Sequence, residues 1–159
     1  MNEHCWPRIG VGAVVLDGNR IVLVKRRYPP FENKWSIPGG HLKPGETIVE
    51  AGLRELREET SIEGRALGII DVHELIMTGG ERRVDRHYLL VDILVEPITK
   101  NPQPGSDALE ASWFTLQEAL QLDLTPSSRK LIEKIARQPI EDLLVFSTTI
   151  TKCTNNKCT

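Results

Sequence analysis

The stretch from Gly39 to Ile62, GGHLKPGETIVEAGLRELREETSI, restricts the fold of this chain more than any other. A Pro38-Gly39-Gly40 turn and a short loop lead into a run with a helical pattern from Thr47 to Thr60. Thr47 and Glu50 have the spacing of a capping box, in which the cap residue and the third helical residue each satisfy the other's backbone N–H. Val49, Leu53 and Leu56 recur at helical spacing and predict the face that packs on a sheet, with Glu55 and Glu59 away from it. Gly52 costs about 1 kcal/mol against alanine inside a helix, so it marks either a close approach or a tolerated weakness. The same helix crowds Arg54, Glu55, Glu58 and Glu59 together. Residues three and four apart on a helix are neighbours, and like charges there cost a few tenths of a kcal/mol per pair. A helix that concentrates them needs either solvent or a cation.

Upstream, IGVGAVVL (9–16), the turn residues Asp17-Gly18-Asn19 and Ile21 to Val24 predict a hairpin. Its unbroken apolar character predicts strands covered on both faces. Downstream, 66–72 and 88–95 read as strands joined by an exposed turn around Thr78-Gly79-Gly80 and Glu81-Arg82-Arg83. The proline-rich segment 97–108 reads as a loop. A short strand over 110–114 and a short helix over 116–122 follow, then a helix over 126–136 with Thr125 as cap and Pro126 in its first turn.

The chain has 159 residues, 40% hydrophobic and 26% charged, with a formal net charge of −2, which describes one globular domain. That balance argues against general nucleic-acid binding, and no apolar run reaches the roughly 18 residues that would span a membrane. The first ten residues show no pattern of a secretory signal. Three cysteines, an odd number, point to a reduced, cytoplasmic protein. Two segments follow: a domain over 1–138 and a C-terminal extension over 139–159. Within the extension Leu143-Leu144-Val145-Phe146 calls for burial, as an added strand or against a second copy of the chain in a homodimer. The final TKCTNNKCT reads as a frayed end, and Cys153 with Cys158 is too sparse for a zinc site.

Gly40, Glu46, Arg54, Glu55, Leu56, Glu58, Glu59 and Ile62 fall in the register of the Nudix hydrolase signature, and on them the chain resembles that family. Ser61 is the one departure, where the family has glycine. The flanking strand order extends the resemblance over about 8–136. A cluster of carboxylates beside a Gly-Gly turn independently suits a hard divalent cation, which takes oxygen ligands, and a glycine turn lets a backbone carbonyl join them. The resemblance implies an α/β fold with a mixed curved sheet sandwiched between helices. It also implies Glu58, Glu59 and the Gly39 carbonyl as contacts to Mg²⁺ or Mn²⁺, and Glu55 as a further ligand or a base. Arg54 and Glu46 look like an orienting pair. Arg26, at the end of the second strand, and Arg8 are candidates for substrate phosphate. Glu110 matches a position where many members carry an acid that completes the metal site or acts as base. A merely solvated acidic helix face would require no upstream Gly40 and Glu46. Trp35 is expected to pack rather than stack on a base, and His87 to be structural.

The implied reaction is metal-dependent hydrolysis of a nucleoside diphosphate linked to another moiety, with small nucleotides as partners and ADP-ribose-type substrates first. The proline that marks many ADP-ribose members after the box is absent, with Met77 and Thr78 in its place. A nucleoside triphosphate pyrophosphohydrolase is the alternative within the class. A catalytically silent nucleotide sensor is the alternative outside it, and that reading predicts lost box glutamates.

Overall fold

The computed structural model describes residues 6–105, 107–143, 146, 148–150, 152–154, 157 and 158, without the side chains of 82, 140, 153, 154, 157 and 158. The readings placed on 1–5, on Leu144 and Val145, and on parts of the final segment lie outside the described residues.

Among the described residues, nine strands and three α-helices follow one another. Strands β1 (Arg8–Asp17) and β2 (Arg20–Arg26) form the predicted hairpin, with Leu16 opposite Ile21, Asp17 opposite Arg20, and Gly18 at a φ of 62° in the turn. Two short strands, β3 (Trp35–Ser36) and β4 (Gly39–His41), lead to α1 (Ile48–Thr60). Next come the long strands β5 (Gly64–Thr78) and β6 (Val84–Pro97), then β7 (Ala108–Thr115), α2 (Leu116–Gln121) and α3 (Pro126–Ala136). A small ladder of β8 (Cys153–Thr154) and β9 (Lys157–Cys158) closes the described chain.

The first seven strands make one mixed sheet. β1 runs parallel to β6 and antiparallel to β4, while β2 pairs antiparallel with β3 and β7. Successive residues of β1 point to opposite faces, and each face has its own core. Ala13 and Val15 pack with Leu56 and Leu53 of α1, whereas Val14 and Leu16 pack with Leu131, Ile132 and Ile135 of α3. The sheet is therefore sandwiched between helices, which explains the unbroken apolar strands. Among the described residues no helix is long and apolar enough to cross a membrane.

The sequence places the packing face of α1 at Val49, Leu53 and Leu56; the structure rotates it. Ala51, Gly52, Leu56, Glu59 and Thr60 are the buried residues, and Val49 and Leu53 are only partly covered. Gly52 is the cause: a Cβ there would stand 2.5 Å from Ile93 Cδ1, so the helix backbone lies directly on the sheet. The Gly52–Leu56–Glu59 line therefore turns inward, and Glu59 is buried instead of facing away. The predicted capping box is present, with Glu50 N–H donating to the Thr47 hydroxyl and Thr47 N–H to the Glu50 carboxylate. At the tail, Leu143 is buried against the α3 core and the backbone of Phe146 pairs with Ile69 on the outer edge of β5.

Ser61 follows α1 at a φ of 59°, in the left-handed region where glycine is unstrained, and its N–H donates to the Arg57 carbonyl. A residue with a Cβ gives up about 1 kcal/mol at such a position. Ser61→Gly is expected to raise the melting temperature by about 2–4 °C while activity is kept. A lower melting temperature in the glycine variant would refute the strain at this cap.

Candidate active site

Around Arg54 the acidic crowd of α1 acquires a centre. Its Nε and Nη2 donate to the two oxygens of Glu46, at 2.6 and 3.0 Å, a bidentate pairing. Its Nη1 donates to Glu55 at 2.5 Å and to Glu58 at 3.3 Å, and Nη2 also reaches the His41 carbonyl at 3.1 Å. One guanidinium thus ties together the loop before the helix, two turns of the helix and β4. Glu46 is held for this by its own turn, in which Gly45 adopts a φ of 81° and Lys43 N–H donates to the Glu46 carboxylate. The Arg54 hydrogen bonds hold the Glu46 carboxyl down at about 2, and the acidic partners push the Arg54 guanidinium further toward its charged form.

Glu59 lies apart from that network, 9% exposed, and accepts a hydrogen bond from Gly39 N–H at 3.0 Å. Burial raises its carboxyl to about 7; the Glu55 and Asp107 charges add to the rise, while the Gly39 N–H and Arg26 oppose it. The two glycines of β4 are needed for this geometry. A Cβ on Gly40 would stand 2.4 Å from a Glu55 oxygen, and one on Gly39 would stand 2.5 Å from the Val11 carbonyl.

A cleft of about 450 Å³ opens beside these groups, with Gly39, Gly40, Glu55 and Glu59 in its wall. It falls within the range of small-molecule sites. Its floor is the α3 face of the sheet, where Gly10 and Gly12 of β1 leave room that side chains would fill. Arg8, Arg26, Arg27 and Arg86 line it as well. Arg26 is braced by its Nε bond to the Pro30 carbonyl, 2.9 Å.

Of the residues singled out by sequence, the structure brings Glu46, Arg54, Glu55 and Glu58 into one network. It places Gly39, Glu59, Arg8 and Arg26 on the adjoining cleft. Glu110 is not brought there. It lies opposite Lys25 in the β2–β7 ladder, half exposed, with its carboxylate 3.0 Å from Lys25 Nζ. Asp107, just before β7, lines the cleft instead. Trp35 packs edge-to-face on Phe114 at 5.0 Å, as expected for a packing residue, and His87 stands 3.7 Å from Glu74. Sequence reasoning passed over Asp92 of β6, which lines the cleft 7% exposed. Its signal was a single carboxyl in the middle of the apolar run YLLVDILV.

The donors suit a hard divalent cation: carboxylates from α1 meet the β4 backbone in a cradle that any Cβ on Gly40 would fill. Among the described residues no three acidic or imidazole groups stand as a ready-made metal cluster. The reason is visible in the geometry, since Glu55 and Glu58 are turned toward the Arg54 guanidinium.

Comparison with known proteins places the chain in a family. The model of the NUDIX domain family matches residues 6–135. The ADP-ribose pyrophosphatase of Methanocaldococcus jannaschii is 29% identical over 119 residues, covering 75% of this chain and 68% of its own length. Phosphatase NudJ of Escherichia coli is 28% identical over 151 residues, covering 92% of this chain and 96% of its own. Several other relatives are longer, and the chain spans less than half of their length. The crystal structure of a MutT NUDIX hydrolase from Burkholderia pseudomallei superposes with a TM-score of 0.70 at 27% identity, covering 82% of this chain and 98% of that one. The chain belongs to the NUDIX domain family and is a Nudix hydrolase, a family whose members generally use divalent metals.

The buried carboxyls give the metal-free protein a defined pH response. In the unfolded chain Glu59 loses its proton near 4.5, whereas the folded protein holds it to about 7. The folded state therefore binds more protons between those values, so stability is highest below 4.5, falls as pH rises toward 7 and is level above. Asp92, raised by burial from 3.8 to about 7, acts in the same direction. In the presence of a chelator the melting temperature should fall between pH 5 and pH 8, and Glu59→Gln should remove part of that fall. Added Mg²⁺ should raise the melting temperature more at pH 8 than at pH 5. An unchanged fall in Glu59→Gln would contradict the burial of this carboxylate.

Proposed function

We propose that the protein hydrolyses the pyrophosphate bond of a nucleoside diphosphate joined to a second moiety, with ADP-ribose-type substrates first. Water attacks one phosphorus and displaces the other phosphate, which yields a nucleoside monophosphate and the phosphorylated second moiety. The observation that carries this reading is the junction of two differently charged surfaces. The Glu55–Glu59 wall and the arginines of the cleft face the same space, as a pyrophosphate with a cation requires. The name and extent of the archaeal relative support the substrate class.

In this reading Glu55, Glu58, Glu59 and the Gly39 carbonyl would hold Mg²⁺ or Mn²⁺. The cation supplies positive charge against the pyrophosphate oxygens and makes a nearby water easier to deprotonate. The chain's own groups do the rest. Arg26 and Arg8 bind and orient the diphosphate through charge-assisted hydrogen bonds. Arg54, fixed by Glu46, keeps Glu55 at the cleft wall and Glu58 beside it, and one of the two takes the proton from the attacking water. Positioning and charge stabilisation supply most of the rate in phosphoryl chemistry, so few groups need to react.

Glu55→Gln and Glu59→Gln are each expected to lower kcat on ADP-ribose about a hundredfold or more, with the fold intact by circular dichroism. Product analysis should show AMP and ribose 5-phosphate. Wild-type rates in either folded variant would sink the assignment of these carboxylates.

A further inference from the structure

The cleft lining includes a carboxyl that the hydrolytic machinery does not use. Asp92 lies in the middle of β6, opposite Gly12 of β1, and its side chain crosses the space that a Gly12 side chain would occupy. A Cβ on Gly12 would stand 2.2 Å from Asp92 Oδ1 and 2.5 Å from Ile37 Cδ1. The side chain is more than nine-tenths buried, yet it has no hydrogen bond or ion pair among the described residues. No enclosed polar side-chain atom lacks a partner, so what remains of the Asp92 surface opens into the cleft that it lines. A buried carboxyl without a partner is costly, and most buried polar groups are hydrogen-bonded. Ile37, Leu90 and Leu131 supply apolar lining to the same cleft, and Ser36, Thr125, Ser127 and Ser128 supply polar lining. A cleft of about 450 Å³ has room for a nucleobase, and a polar edge on such a base would meet Asp92.

We propose that Asp92 reads the base of the substrate, holding an adenine-type edge in which an amino group stands beside a ring nitrogen. This deepens the nucleotide reading of the site and rests on it. The chemistry is complementary when the carboxyl is protonated: its carbonyl oxygen accepts from the amino group and its O–H donates to the ring nitrogen. Burial, with the Asp71 charge across the β5–β6 ladder, raises the Asp92 carboxyl to about 7 and so keeps the acid available at neutral pH. Asp71 is itself held by Lys134 of α3 at 2.8 Å, so that cation is engaged elsewhere.

Binding separates this proposal from the catalytic one. Calorimetric titration with AMP, ribose 5-phosphate and Mg²⁺-pyrophosphate, for the wild type and two variants, tests it without turnover. The wild type should bind AMP more tightly than ribose 5-phosphate. Asp92→Leu should weaken AMP about tenfold or more while pyrophosphate stays within about twofold. Asp92→Asn, whose amide offers the same donor and acceptor as the acid, should keep AMP within about threefold. Equal losses of AMP and pyrophosphate in Asp92→Leu would overturn the proposal. So would unchanged AMP binding in that variant, an Asn variant as weak as Leu, or a wild type with no preference for AMP over ribose 5-phosphate. Failure to hydrolyse ADP-ribose with these binding ratios intact would count against the proposed reaction alone.

Discussion

The Arg54 guanidinium is the interaction on which the site depends. Three carboxylates from the loop and helix and one backbone carbonyl of β4 converge on it. Without it Glu46, Glu55 and Glu58 would repel one another on a partly shielded surface, and the helix would lose its tie to the Gly-Gly strand. With it, the repulsion that makes the helix unfavourable in isolation becomes a set of short charge-assisted bonds. The same set leaves the carboxylates close to the cleft, where a stronger cation can compete for Glu55 and Glu58.

The second dependence is steric and lies in glycines. Gly52 lets α1 settle on Ile93, and that rotation carries Glu59 inward to the Gly39 N–H. Gly39 and Gly40 let the strand pass between the β1 backbone and Glu55, while Gly10 and Gly12 hollow out the sheet face that forms the cleft floor. Burying Glu59 raises its pKa because the charged form loses solvent that the single N–H does not replace. A site built this way favours a cation for the same reason that it disfavours a bare carboxylate.

Much of this was legible in the residues, and the limits have physical causes. The hairpin, the caps at Thr47 and Thr125 and the left-handed Ser61 follow from local turn and cap chemistry. The Arg54–Glu46 pair followed from the resemblance and from spacing. The orientation of α1 did not, because hydrophobic periodicity counts side chains and takes no account of the close approach that a glycine allows. Which of Glu110 and Asp107 reaches the cleft was not legible, for a similar reason. They lie three residues apart, and only the pairing of Glu110 with Lys25 in the β2–β7 ladder shows which of them reaches the cleft. Asp92 was visible as a charge in an apolar strand, but its meaning required knowing that Gly12 lies beside it.

In the proposed reading the α1 carboxylates and the Gly39 carbonyl form one cation site at the wall of the cleft. An anomalous difference map from crystals soaked in Mn²⁺ tests it most directly. A peak bounded by Glu55, Glu58, Glu59 and the Gly39 carbonyl is expected, with Arg54 still paired to Glu46. A peak confined to Glu110 and Asp107, or none at the Gly39–Glu59 wall at saturating Mn²⁺, would contradict it.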